Sequence, residues 1–113
     1  MEFDTMLPIA PIIPSHKILL TYGVSSDVGT EYYQYIISVF FPTLAELELY
    51  VTQAWHVAYG DYPNRQIVIV CESLLPLKRA QASGKWGQLE TQLLDYVEQY
   101  SMKVVPFRQG FQF

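Results

Sequence analysis

Cysteine is nearly absent from this chain: Cys71 is the single one among 113 residues, so no internal disulfide can form. It sits in the apolar run Ile67-Val68-Ile69-Val70-Cys71 with no basic neighbour to lower its pKa, which marks it as a small buried hydrophobe rather than a nucleophile. A cytoplasmic setting is the expectation. Histidine is almost as scarce. His16 and His56, with one cysteine, make no zinc site at any usual spacing, so no metal is expected. Glycine is thin as well, six residues in all, and Ser83-Gly84-Lys85 is too short to cradle a phosphate. No cofactor is expected. Ser25 and Ser26 have no neighbouring histidine to make either a nucleophile.

Positive charge is short too. Seven Lys and Arg stand against eleven Asp and Glu, for a net charge of −4, and the longest basic cluster is Lys78-Arg79. Nucleic acid and anionic membrane surfaces both need a basic face, so neither is an expected partner. Nor is there a long uninterrupted apolar run. The N-terminal stretch lacks a basic leader region, and Pro8, Pro11 and Pro14 break its hydrophobic residues apart, so it reads as a poor signal peptide and no membrane span is expected there. Residues 1–15 read instead as an extended arm whose Met6, Leu7, Ile9, Ile12 and Ile13 need apolar cover, on their own domain or on a partner. Residues 16–113 are the size of one domain.

What the chain does have is hydrophobic and aromatic mass. Half the residues are hydrophobic, 15% are aromatic, and nine Tyr and six Phe account for most of those. Such residues fill cores, and they also concentrate at interfaces and in pockets.

Residues 17–24 are rich in β-branched and aromatic types and read as a strand, stopped by the turn cluster Ser25-Ser26-Asp27-Val28-Gly29. From Thr30, a reasonable N-cap, to about Leu47 the period becomes helical. Tyr33, Ile37, Phe40, Leu44 and Leu47 form the stripe, widened by Tyr32, Ile36 and Val39. Pro42 predicts a kink or break near Phe41. Residues 49–60 alternate as a strand, with Val51, Gln53, Trp55, Val57 and Tyr59 set against Thr52, Ala54, His56 and Ala58. Asp61-Tyr62-Pro63-Asn64 is a turn, and residues 65–73 form a strand apolar at consecutive positions, so buried on both faces. Ser73 caps a short helix over residues 74–82, with Pro76 in its first turn, and Ser83-Gly84 ends it. A long helix follows over residues 85–101, with Trp86, Leu89, Leu93, Val97 and Tyr100 on its stripe, then a strand over 103–107.

That order, βαββαβ, is the split-βαβ or ferredoxin-like arrangement of an α+β domain. Right-handed crossovers put both long helices on one face of a four-stranded antiparallel sheet. Leaving four or five large apolar side chains bare on the other face would forgo about 1.5–3 kcal/mol each. Two such faces packed about a two-fold axis remove both patches, so a homodimer is expected; the alternative is that the arm covers its own sheet.

Residues 17–24, followed by the helix start Gly29-Thr30-Glu31-Tyr32, resemble the opening of the dimeric α+β barrel superfamily, which includes the antibiotic-biosynthesis-monooxygenase-like, EthD-like and NIPSNAP-like proteins. A second match runs from Arg65 to Trp86, where a strand ending in Glu72-Ser73 leads through Leu74, Leu77, Ala80 and Ser83 to the final helix. The resemblance spans about residues 17–113. It implies a pair of sheets closing into a barrel with a cleft lined by polar and aromatic side chains. Activities in the superfamily vary, and a fold alone does not assign one.

The candidate catalytic residues are His56, a general base or ligand contact in mid-strand, Tyr22 on the first strand, and Glu72, a carboxylate at a strand end with scope for burial and a raised pKa. Trp55 and Tyr59 are candidate ligand contacts. Each has a plainer reading: a core or interface histidine, a packed tyrosine, a structural anchor. Arg65 and Arg108 read as solvated strand ends, and His16 as ordinary. Two functions remain open at this point. One is binding or transforming a small apolar or aromatic molecule in a cleft lined by the sheet. The other is a non-catalytic homodimeric binding or assembly module with a solid barrel core.

Overall fold

The computed structural model describes residues 13–56 and 65–108. It is α+β: an open, antiparallel four-stranded sheet in the order β2-β3-β1-β4, packed against helices. The strands are β1 (His16–Gly23), β2 (Tyr50–His56), β3 (Arg65–Cys71) and β4 (Glu98–Pro106). The arm at residues 1–12, the expected continuation of the second strand to residue 60, the turn after it and the tail from residue 109 lie outside the described residues.

A short 3-10 turn, Ser26–Val28, leads from β1 into one continuous helical run: α1 (Gly29–Tyr35), a π-helical turn (Ile36–Phe40) and α2 (Phe41–Glu46). The expected cap at Thr30 is not used; Val28 takes that position and makes no side-chain cap bond. Pro42 neither ends nor breaks the run. Proline has no N–H to give the carbonyl four residues back, and its ring crowds that carbonyl. The helix widens just ahead of it, and the Phe41 N–H bonds back five residues to the Ile36 carbonyl. A wider turn also holds an i, i+4 series in line. Tyr32, Ile36, Phe40 and Leu44 therefore all face the core, whereas the expected stripe residues Tyr33 and Ile37 are 40% and 45% exposed.

Two more irregularities re-phase the sheet. In β2, Val51 pairs with Ile69 and Gln53 with Val68, so Thr52 is an extra residue. The alternation expected across residues 49–60 breaks there, and Val51 and Ala54 are both buried. In β4, a register shift opposite Thr21 and Gly23 accompanies Gln99 at φ 54°. The helix expected over residues 85–101 is α4 (Lys85–Leu94) and stops seven residues early. Residues 98–106 pair along β1 instead, because an unpaired outer edge on β1 would leave its backbone N–H and C=O groups without partners. Tyr100 and Met102 fit a period of two as well as Val97 and Tyr100 fit a helical one.

Between these elements, α3 (Leu75–Ala82) begins where the Leu75 N–H donates to the Ser73 hydroxyl at 3.1 Å, with Pro76 in its first turn. Gly84 separates α3 from α4 at φ 84°, a left-handed conformation that glycine adopts without steric cost.

All the helices contribute to a single core. Tyr32, Ile36, Phe40 and Leu44 meet Leu77, Ala80, Trp86, Leu89 and Leu93 over the sheet residues Ile18, Leu20, Tyr22, Ile67, Ile69 and Cys71. Those sheet residues lie in cross-strand rows, Ile18 with Ile69 and Leu20 with Ile67, and so belong to one face. Among the described residues no helix covers the other. There the rows read Tyr50-Val70-Lys17-Val105 and Gln53-Val68-Leu19-Lys103, with Thr21 beside Gln66 and Ser101. This face is more polar than the sequence leads one to expect. Val70 is nonetheless only 2% exposed while standing outside the helix-side core, so β3 is buried at Val70 on both faces and half-buried at Val68.

Glu48 follows α2 in the left-handed region, at φ 64°. The Glu48 N–H donates to the Ala45 carbonyl at 3.1 Å and the Leu49 N–H to Leu44 at 2.9 Å, a helix-ending pattern that normally takes glycine. Glu48→Gly is expected to raise stability by about 0.5–1 kcal/mol, read as a higher urea midpoint at unchanged slope. A lower midpoint would mean that the carboxylate makes a contact worth more than the strain.

Candidate functional site

The polar groups with the most unusual surroundings gather where β1 ends and β3 begins. Tyr22, Arg65 and His56 occupy one row of the sheet, since Tyr22 pairs with Arg65 and Arg65 with His56. Tyr22 points into the helix-side core and is fully buried. The first turn of α1 brings Tyr32 over it. Their hydroxyls lie 2.6 Å apart, and their rings meet edge to face at 5.8 Å. The Arg65 guanidinium stands over the Tyr32 ring, with Cζ 5.7 Å from its centroid.

The β4 bulge delivers a third tyrosine. The Tyr100 ring stacks on Tyr22 at 6.5 Å, and its hydroxyl donates to the Glu90 carboxylate of α4 at 2.7 Å. Nearby, the Tyr35 hydroxyl donates to the Leu89 carbonyl at 2.9 Å. These four phenols each have a partner, and among the described residues no buried side-chain N or O atom lacks one.

Burial sets the electrostatics. It pushes the Tyr22 and Tyr32 phenols above the usual value, because neither anion would be hydrated there. Tyr32 adds to the shift on Tyr22, while the positive charge of Arg65 opposes it on both. With Arg65 beside it, the Tyr32 oxygen is the better acceptor, so we assign Tyr22 as donor in their hydrogen bond. Burial likewise raises Tyr35 and Tyr100. The arrangement holds protons firmly. Tyr22 itself presents no surface to solvent.

The other candidates are placed as follows. Glu72 is exposed just beyond the opposite end of β3, so within one chain it does not share a place with Tyr22 and His56. It lines a shallow surface hollow of about 220 Å³ with Glu48, Tyr50, Ser73 and Arg79. Trp55 pairs with Gln66 near the end of β2, and Tyr59 lies outside the described residues. His16 is half-buried, its Nδ1 2.8 Å from the Ser15 hydroxyl, and Arg108 is exposed after β4. Burial raises the Cys71 thiol, in keeping with a packed side chain rather than a nucleophile. No group of acidic, histidine or cysteine side chains among the described residues could hold a metal ion, and none of their helices is long and apolar enough to cross a membrane.

Arg65, Tyr32, Tyr100 and Glu90 are the members that sequence reasoning missed. Arg65 reads as a strand end and Tyr32 as one more stripe residue. The density of tyrosine was the available signal. Comparison of the chain with protein-family models and with curated proteins yields no match.

Tyr22→Phe is expected to cost about 1–2 kcal/mol, because it strips the buried Tyr32 hydroxyl of a partner. The double change with Tyr32→Phe should cost less than the sum of the two single changes, measured by denaturant titration. The folded-state phenols keep their protons to higher pH than those of the unfolded chain, which release them near 10. Stability is therefore complete below about pH 10 and falls as pH rises beyond it. Thermal melts from pH 9 to 11 should show that fall, and the double variant should flatten it.

Proposed function

We propose that this chain is a non-catalytic homodimeric binding or assembly module, in which two sheets pack through the faces that carry no helix. The observation that carries this reading is the one-sided core. Every described helix packs on the Ile18, Leu20, Ile67 and Ile69 face, which leaves Leu19, Val68 and Val70 on the other. The strand order β2-β3-β1-β4 supports a ferredoxin-like βαββαβ unit, and the resemblance noted in the sequence supports its pairing as a dimeric α+β barrel. The filled helix-side core argues for assembly over catalysis, since the one candidate residue with a described buried side chain, Tyr22, has its hydroxyl engaged by Tyr32.

Sedimentation at micromolar concentration tests the reading. The expected species is twice the 13.0 kDa chain mass. Val68→Asp should convert it to a monomer with unchanged far-UV circular dichroism, because a carboxylate buried between two sheets has no partner. A wild-type chain that sediments at 13.0 kDa would remove the proposal.

A second reading is favoured by the row Trp55-Gln66-Thr21-Ser101, which puts the position of one candidate ligand contact on the helix-free face. In that reading the dimer binds a small apolar or aromatic molecule in a cleft between the sheets. A melting shift with an aromatic or quinone panel, lost in Trp55→Ala, would favour it. Identical melts for both proteins across the panel would exclude it.

A further inference from the structure

The sheet ends on β4. Among the described residues no strand lies beyond it, and none of its nine residues is buried. An open edge of this kind presents a row of backbone N–H and C=O groups to any strand that can align with it. From Ser101 to Pro106 the strand keeps an unbroken register with β1, so its outer edge is regular there. The opposite edge is a poorer template, because β2 is interrupted by the extra residue Thr52.

The side chains of β4 also overhang the core. On the helix side it carries Tyr100 and Met102, both half-buried at the margin, and then Val104, 37% exposed. Val104 pairs with Ile18, which is fully buried, so cover from the helices runs out within this last strand. Devices that block edge pairing are sparse here. Lys103 is the strand's single cation and belongs to the helix-free face, and Pro106 stands at the final position.

We infer that β4 pairs antiparallel with β4 of a second copy about a two-fold axis at Met102, joining two sheets edge to edge. In that register Met102 meets Met102 and Tyr100 meets Val104 on both sides of the axis, so the overhanging apolar row covers itself. On the helix-free face Ser101 meets Lys103. The next register that keeps the faces aligned, centred on Lys103, would set lysine against lysine. The one centred on Ser101 would draw in the irregular stretch beside Gln99.

This contact does not rest on the face-packed dimer. Sheets stacked through their faces lie about 10 Å apart, which leaves the β4 edges open. It is also the weaker of the two. A paired stretch from Tyr100 to Val104 is only about 17 Å long, too short to reach the roughly 800 Å² that each partner of a stable interface buries. The edge therefore links copies reversibly, at concentrations well above those that form the dimer.

The Val68→Asp chain isolates the edge, since its face cannot pack. At about 1 mM, where a contact this small becomes populated, it should sediment in exchange with a species of twice 13.0 kDa. Wild type at that concentration should add species of four chains. Ser101→Lys sets lysine against lysine at two cross-edge sites and should weaken the association roughly tenfold. Adding Lys103→Glu turns both sites into opposite-charge pairs and should restore it. Ser101→Ala loses the same hydroxyl contact to Thr21 and should associate as before. Circular dichroism checks each variant for folding, and amide exchange should show concentration-dependent protection confined to residues 98–106. Chains that stay apart at 1 mM, variants that all associate alike, or protection that falls elsewhere would each overturn the inference. A wild type that is monomeric at micromolar concentration removes the face-packed dimer alone, and the edge is then tested on wild type directly.

Discussion

The helices have one sheet face to pack against, and that constraint sets the phase of every element around it. Ile18, Leu20 and Tyr22 of β1 and Ile67, Ile69 and Cys71 of β3 fix where the apolar side chains must arrive. The chain reaches them with three departures from regular geometry: the π turn before Pro42, the extra residue Thr52 in β2, and the register shift beside Gln99 in β4. Each inserts or displaces about one residue. A shift of one residue turns a strand's side chains to the opposite face and rotates a helix stripe by a large part of its width. Without them, Ile36, Ala54 or Tyr100 would point away from the core.

This explains what could be read from the sequence and what could not. β1, β3, the short helix before Gly84 and the start of α4 are each carried by a run whose local pattern agrees with its final setting, as with Leu89 and Leu93 on one helical stripe. The stripe of the first helix was legible only in part. Phe40 and Leu44 hold, but Tyr33 and Ile37 give way to Tyr32 and Ile36, because the wide turn resets the phase between them. Residues 95–101 were ambiguous in principle, since apolar residues there satisfy both periods. The unpaired edge of β1 decides between them, and that is a long-range demand which no window of local sequence contains.

The candidate site shows the same division. Tyr22 stands out as a polar-tipped residue on an apolar strand, and a buried phenol needs a partner. Which partner it finds depends on the turn after β1 bringing Tyr32 back over the strand, and on the β4 bulge bringing Tyr100 alongside. Arg65 sits at a strand end in the sequence, yet cross-strand pairing with Tyr22 places it beside a tyrosine pair. A guanidinium there strengthens the hydroxyl chain without requiring a phenolate. Satisfied polar groups of this kind fix how a helix start sits on a sheet, because any slip leaves a hydroxyl stranded in an apolar core. The tyrosines act first as register pins.

The two faces of the sheet therefore differ in kind. On the helix side, apolar volume and paired hydroxyls fill the space between helices and sheet. On the open side, Val68, Val70 and Leu19 form a narrow apolar centre, while Lys17, Lys103, Gln53 and Gln66 surround it with groups that tolerate water. That centre is already largely withdrawn from water, with Val70 buried and Leu19 and Val68 half-buried. Charge of both signs borders that centre, since Glu98 pairs with Gly23 on the same face as Lys17 and Lys103. A uniformly apolar face would specify the register of anything packed on it less well.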